Sequence, residues 1–288
     1  MNNIYTISKK LNYSTETQTT KSKVDHIISI IKSKMDSLGF EYREYSSFNC
    51  KNTEYPHYVF SVGGDGTMMH SMHNYVKHAS VIVGINAGNV GFLTPFSVED
   101  LDDHLFNLIS SPNQRIEFRT ILKHSFKKTC DYAINEFAIT GNGPNDMLDF
   151  SIEIQHHHQN SKAGRYKANA VLVSGPCGST AYNMNAGGAI VDPSVKCMQI
   201  LMIAPTTLGS RPIILGKNTT VNLFFHKKAK VFSDGILIHE IEPNESHPFS
   251  ITLMPKESKI LVPEDWNFYS VLSKKLHWNN GKDVGKKY

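Results

Sequence analysis

The run YVFSVGGDGT, residues 58–67, decides how the chain is read: five residues of strand-like apolar sequence pass directly into three glycines, an aspartate and a threonine. Tyr58–Val62 suits a buried strand. Gly63, Gly64 and Gly66 let the backbone turn tightly and leave amide N–H groups open to an anion, with Thr67 beside them. The charge of Asp65 would repel a phosphate there, so it calls for a chemical reason. It could take a proton from a hydroxyl nucleophile, or help hold a divalent cation that bridges phosphates. The same residues also fit an ordinary strand–helix turn with an N-capping Asp, and the short motif leaves both readings open.

Outward from that turn, residues 3–8 read as a short strand. Val24, Ile27, Ile28, Ile31, Met35 and Leu38 recur at helical spacing, with Thr19 or Thr20 as N-cap and Gly39 closing the helix. Val81–Ile85 is a second strand entering Gly-rich sequence. Ser97 with Asp100 forms a capping box ahead of a helix buried through Leu101, Leu105, Leu108 and Ile109. This alternation predicts an α/β N-terminal domain with an open, mostly parallel sheet, over residues 1–115. Beyond it come short strand-like runs at 116–126, 131–140, 148–155, 167–174, 219–226, 230–240, 249–253 and 259–262, which predict a β-rich domain over 116–262. Residues 267–278 read as a closing helix or turn before a frayed Gly-Lys-Lys end.

The composition is ordinary for a globular chain: 288 residues, 40% apolar, 19% charged. A net charge of +4 is too weak to imply a nucleic-acid or membrane surface. Cys50, Cys130, Cys177 and Cys197 are scattered without CxxC spacing, as expected for reduced thiols, and with no apolar run of membrane-spanning length the expected location is the cytoplasm. No metal site is expected. His156–His158 would point to alternate faces of a strand and suit a solvated loop better. Neither a P-loop nor a GxGxxG fingerprint is present.

Four further segments carry chemistry. GINAGNVGFLT (84–94) ends a strand in glycines, with Asn86 and Asn89 able to bind turn backbone and Phe92 able to stack or fill core. Asn135-Glu136 interrupts an apolar run with an amide that can read a base edge and a carboxylate that can hold ribose hydroxyls. NAVLVSGPCGSTAYNMNAGGAIVDP (169–193) offers amides, hydroxyls and the Tyr182 ring, a set that suits a ribose, a phosphate and a base. Arg211 suits a phosphate or a structural ion pair, and Asp234-Gly235 a hairpin turn. Cys177, with no assignable base, reads as a small loop residue.

GGDGT, GINAGNVGFLT, Asn135-Glu136, SGPCGSTAYNMNAGG (174–188), SRPI (210–213) and LSKKLHW (272–278) occur in the order found in NAD kinases, and the chain resembles that family from about residue 58 to 278. The resemblance implies transfer of the ATP γ-phosphoryl group to the 2′-hydroxyl of the adenosine ribose of NAD. ATP would bring Mg²⁺ or another divalent cation. It also implies a homodimer or homotetramer, and a C-terminal segment, 263–288, that returns to the first domain. On that resemblance Asp65 matches the catalytic base, with Gly66 beside it against the ligand. Phe92, Asn135, Glu136, Asn169, Thr180, Ala181, Tyr182 and Asn185 fall in ligand-binding stretches; Gly63, Gly64 and Thr67 lie at the phosphates, and His73 near a basic position.

The chain also departs from the family pattern. Ala168-Asn169-Ala170 stands for the usual Gly-Asp-Gly, and Ser174-Gly175-Pro176-Cys177 for Ser-Thr-Pro-Thr. Asn169 cannot supply the carboxylate's charge, which is expected to weaken that contact by about 1–3 kcal/mol and to lower NAD affinity or shift ligand preference without abolishing transfer. The alternatives to an active NAD kinase are an NAD(P)-binding regulatory homologue with weak or no turnover, and another GGDG-type kinase acting on a lipid or sugar.

Overall fold

The computed structural model describes residues 5–8, 18–45, 55–88, 91–143, 146–157 and 159–277. These form two compact units. One holds the described residues up to Glu117 together with those from Ser258 onward, and the other is Phe118–Glu257.

In the first unit the order is β1 (Tyr5–Ser8), α1 (Gln18–Ser37), β2 (Tyr42–Tyr45), β3 (Tyr58–Gly63), α2 (Asp65–Tyr75), β4 (Val81–Asn86), α3 (Asp103–Ser110) and the first two residues of β5 (Ile116–Arg119). Its sheet runs β2-β1-β3-β4-β18-β5, where β18 is Ser258–Leu261, and its β1–β2, β1–β3, β3–β4 and β4–β18 pairs are parallel. All six positions of β3 and of β4 are buried, the continuous apolar signature of a strand covered on both faces. Val24, Ile27, Ile31 and Met35 of α1 and Leu105 and Phe106 of α3 pack with Ile7, Phe60 and Val83 of the sheet. Ser71 of α2 donates to Ser61 of β3 at 2.9 Å.

The second unit continues with β6 (Leu122–Phe126), β7 (Thr129–Ala133), β8 (Glu136–Thr140), β9 (Leu148–His156), β10 (Gln159–Ala168), β11 (Ala170–Ser174), α4 (Tyr182–Asn185), β12 (Cys197–Ile203), β13 (Ile213–Gly216), β14 (Thr219–Phe225), β15 (Ala229–Ser233), β16 (Ile236–Ile241) and β17 (Phe249–Leu253). Two antiparallel sheets result, β10-β9-β14-β17-β6-β7 and β13-β12-β11-β8-β15-β16. Strict in–out alternation along β14 and β15 drives one core, in which Leu122, Phe150, Leu223 and Phe249 of the first sheet meet Phe137, Val173, Met198 and Val231 of the second. The last helix, α5 (Phe268–Leu276), belongs to the first unit and is capped by Asn267, whose side chain accepts from Tyr269 and Ser270 N–H.

Several expectations are corrected. Helix α1 starts at Gln18, so Thr19 and Thr20 sit within its first turn rather than capping it. Leu38 lies past its end, 44% exposed. The Ser97–Asp100 capping box forms, but it opens a 3₁₀ turn, Val98–Asp100, with α3 following. The run 259–262, expected in the β-rich domain, contributes to β18, which pairs with β4 in the first unit's sheet. Run 116–126 splits into β5 and β6, and 131–140 contributes to β7 and β8, separated by Ile134-Asn135. The strands β2, β10, β12 and β13 were not foreseen in these bounds; β10 is a polar outer strand that pairs only with β9 and so needs no apolar alternation. Asn89, Cys50, His158, Trp278 and the Gly-Lys-Lys end lie outside the described residues.

Candidate functional site

The first cluster forms where β3 ends and α2 begins. Gly63 has φ +151°, and a Cβ there would overlap the Thr67 hydroxyl, so only glycine lets the strand turn this closely into the helix. Gly64 is the N-cap, and its carbonyl accepts from Thr67 and Met68 N–H at 3.0 and 3.1 Å. Asp65 is therefore the first residue of α2, where the helix dipole favours its charge. Its carboxylate is also held from outside the helix, with Oδ2 accepting from Phe92 N–H at 2.8 Å and Oδ1 from Leu93 N–H at 3.0 Å. One bond to each oxygen fixes the group and leaves each a further acceptor position.

The 91–94 loop is shaped to make this grip. A Cβ on Gly91 would overlap Asp65 Oδ1. Asn86, at the end of β4, donates to Thr94 Oγ1 at 2.8 Å and accepts from Gly88 N–H at 2.6 Å. The Phe92 ring is half-buried, 6.1 Å from Phe268, with Lys275 Nζ 5.2 Å above it. Gly64 and Gly66 are exposed, and a Cβ at either would meet nothing within 4 Å, so the first-turn backbone faces open space. The amides there have no preceding carbonyl to bond, as at any helix start, and suit an anion. His73 is not brought to this cluster. It lies in the last turn of α2, eight residues or about 12 Å along the helix from Asp65.

The second cluster gathers at the start of β8. Asp234, in the β15–β16 turn with φ +45°, turns its carboxylate onto three consecutive amides: Oδ2 accepts from Ile134 N–H at 2.8 Å, and Oδ1 from Asn135 and Glu136 N–H at 2.8 and 3.1 Å. Glu136 is 7% exposed and its Oε2 has no partner. Burial, with the Asp234 charge added, pushes its carboxyl up to about 8, so at neutral pH it is largely the uncharged acid, a hydrogen-bond donor. Ser174 stands directly opposite Glu136 in the β8–β11 register, and its buried hydroxyl is also unpartnered. Two buried polar groups without hydrogen-bond partners thus stand opposite one another across the β8–β11 pair.

The segment after Ser174 packs against the same strand. Gly175 N–H donates to the Asn135 carbonyl at 3.0 Å, and a Cβ on Gly178 would overlap that oxygen. Ser179 Oγ donates to the Pro176 carbonyl at 2.6 Å and accepts from Val191 N–H at 3.0 Å, which ties the two ends of the loop. Thr180 and Ala181 are half-buried, Tyr182 is 46% exposed, and Asn185 is exposed in the single turn of α4. Asn183 between them is fully buried with Oδ1 unpartnered, braced against Gly188.

Asn169 is exposed between β10 and β11 and donates its backbone N–H to Ile203. Arg211 is exposed, and its Nη1 donates to the Leu208 and Ser210 carbonyls at 3.0 and 2.8 Å. Cys177 is buried within a 3₁₀ turn, Cys177–Thr180. His156 closes β9 and meets Thr219 Oγ1 at 3.3 Å. Asp234 was expected only as a turn former, Ser174 only as a departure from the family pattern, and Asn183 only as one of the polar residues of its loop. Asp-Gly between two strands was a signal for the hairpin, but nothing local pointed to its partners about a hundred residues earlier.

Residues 3–112 match the ATP-NAD kinase N-terminal domain and 134–260 the ATP-NAD kinase C-terminal domain. The NAD kinase of Sulfurimonas denitrificans is 32% identical over 226 residues, 77% of each chain, and that of Fusobacterium nucleatum 31% identical over 240 residues, 82% of this chain and 87% of the relative. Among solved structures, yeast NADH kinase complexed with NADH superposes with a TM-score of 0.82 at 18% identity, over 99% of this chain and 90% of that one. An NAD kinase from Archaeoglobus fulgidus in complex with ATP gives 0.75 at 22%, over 94% and 98%.

Proposed function

The chain belongs to the NAD kinase family, and from that premise we propose that it phosphorylates the 2′-hydroxyl of the adenosine ribose of NAD with ATP, with Asp65 as general base. The observation that carries this reading is the Asp65 carboxylate, aligned by the Phe92 and Leu93 amides beside a helix start whose glycines face open space. An alcohol is a poor nucleophile at neutral pH. As the 2′-oxygen bonds to the γ-phosphorus, its proton passes to Asp65, the bond to the β–γ bridging oxygen breaks, and ADP leaves. The Gly64–Gly66 backbone receives phosphate oxygens at the α2 N-terminus. Asn135 and Glu136 hold the dinucleotide, Glu136 donating as a neutral acid, and Thr180, Ala181, Tyr182 and Asn185 line its path.

Among the described residues no group of three His, Cys, Asp or Glu side chains can hold a metal. We propose that Mg²⁺ comes with ATP and would be held by its phosphates. Such an ion neutralises phosphate charge when bound. No helix among the described residues is long and apolar enough to cross a membrane. We place the reaction in the cytoplasm, where the thiols of Cys130, Cys177 and Cys197, which form no disulfide, stay reduced. Homo-oligomer assembly is supported by the outer strand β13, which leaves Ile213 and Ile214 exposed at 41% and 55%.

The test is NADP formation from ATP, Mg²⁺ and NAD, followed through an NADP-specific dehydrogenase. Asp65→Asn keeps the size and one of the two acceptor oxygens, and its rate is expected to fall at least a hundredfold with about 1–2 kcal/mol lost in stability, so the chain stays folded. Undiminished NADP formation by Asp65→Asn would remove the base from the mechanism. No NADP from the parent chain, with NAD still bound, would favour the regulatory homologue.

A further inference from the structure

A cavity of about 370 Å³ opens in the Phe118–Glu257 unit, lined by Thr120, Lys196, Lys217, Asn218, Met254 and Glu257 among others. Four hydrogen-bond donors reach its wall from separate places in the sequence. Lys217 and Asn218 come from the β13–β14 turn, Lys196 from the start of β12, and Thr120 from the β5–β6 junction. Glu257 is the lining carboxylate, and it is engaged by Lys196 at 2.6 Å. Lys217 forms no ion pair among the described residues, nor does the Asn218 amide have a side-chain partner there. The wall therefore carries one uncompensated positive charge. Thr120 lines the same wall; it is 3% exposed, and its hydroxyl is buried without any hydrogen-bond partner. A buried hydroxyl left unpaired costs stability unless something polar fills the space before it.

We propose that this cavity binds a small phosphate-bearing molecule, with Lys217 as the charge partner and Thr120 and Asn218 as neutral donors. A phosphate fits this set because it offers several acceptor oxygens and at least one full negative charge. The volume falls within the range of small-molecule sites and exceeds what a lone oxyanion fills, so the occupant carries a further group or a second phosphate. The partly apolar side of the wall, with Met254, accommodates the remainder. None of the cavity's lining residues is among those assigned to NAD and ATP. It backs onto them at one point: the Thr120 carbonyl lies 3.9 Å from a Cβ position on Gly175, whose N–H is bonded to Asn135.

Calorimetric titration of the full chain with pyrophosphate, at an ionic strength held constant with chloride, tests this. Saturable binding is expected, weakened about tenfold or more by Lys217→Ala and to a lesser extent by Thr120→Val, and retained in Gly66→Ala, which removes only pyrophosphate bound at the α2 N-terminus. Lys217 lies exposed on a turn, so its removal leaves folding intact, which an unchanged melting temperature verifies. Absence of saturable binding overturns the proposal, as does binding that persists in Lys217→Ala and is lost in Gly66→Ala, which would assign the pyrophosphate to the α2 N-terminus. Neither outcome bears on NADP formation, which stands or falls by its own assay.

Discussion

A methyl group added at Gly91 would overlap Asp65 Oδ1, whereas one added at Gly66 would meet nothing within 4 Å. The two glycines are thus small for different partners, one for a carboxylate of the same chain and the other for whatever approaches from outside. Gly91→Ala is expected to push the loop off Asp65 and cost about 1–3 kcal/mol of stability along with most activity. Gly66→Ala, within the first turn of α2, is expected to hold or raise the melting temperature by restricting the unfolded chain, yet to lower kcat/KM at least tenfold. Thermal melts read beside NADP formation separate the two. An unaltered kcat/KM in Gly66→Ala would mean that no substrate approaches that backbone. At this scale the sequence was informative about Asp65 and its glycines, because a strand running into GGDGT is a local pattern. That the Phe92 and Leu93 amides hold the carboxylate was not legible, since the signal is a backbone bond between segments 27 and 28 residues apart.

The β15–β16 turn shows how one element serves another. Asp234 satisfies three amides at the entrance to β8, where Ile134 and Asn135 lie between strands and have no ladder of their own. Asp234→Ala leaves those donors unpaired in a part-buried place and is expected to destabilise the chain by about 2–4 kcal/mol in urea unfolding. Asp234→Asn retains one acceptor oxygen and tolerates the positive φ, so about half that loss is expected. Both variants are expected to raise KM for NAD more than they lower kcat, because Asn135 and Glu136 lose their alignment. Equal stability of Asp234→Ala and the parent would reduce the aspartate to a turn former. Regular elements were readable where burial imposes a period, as in the alternation of β14 and β15. They were missed where the neighbours decide: β10 is mostly exposed and polar, with only Ala163, Tyr166 and Ala168 turned to the core, and the run through Cys177–Asn185 folds into a 3₁₀ turn and a single helical turn that no hydrophobic pattern announces.

Across the whole molecule, two buried groups give stability opposite slopes in pH. Glu136, raised from 4.5 to about 8, binds a proton in the folded state that the unfolded chain has already released. Its contribution is complete below pH 4.5, erodes as pH climbs toward 8, and is flat beyond. His124 has both ring nitrogens buried without partners and is stacked on Phe249; burial first, then His239, lower it from 6.5 to about 4. It stays neutral when folded, so its contribution is complete above pH 6.5 and declines as pH falls toward 4. Melting temperature is expected to peak between about pH 5 and 6.5. Glu136→Gln should flatten the alkaline limb up to pH 8, and His124→Phe the acidic one. A Glu136→Gln profile parallel to the parent's above pH 5 would place the titration elsewhere. The division into an α/β half and a β half was visible in the change of hydrophobic period near residue 115, whereas the ownership of β18 was not, because a four-residue strand carries no mark of the sheet it joins.

That ownership has a consequence for biogenesis. The sheet of the first unit places β18 between β4 and β5, with Val262 N–H bonded to the Arg115 carbonyl. As the nascent polypeptide leaves the ribosome, β4 and β5 emerge with a vacant lane between them, which is filled only after some 140 further residues have been translated. The front half must wait, its hydrogen-bonding edge unpaired, until the rear half has been made, and a prematurely terminated product exposes that edge to any passing strand.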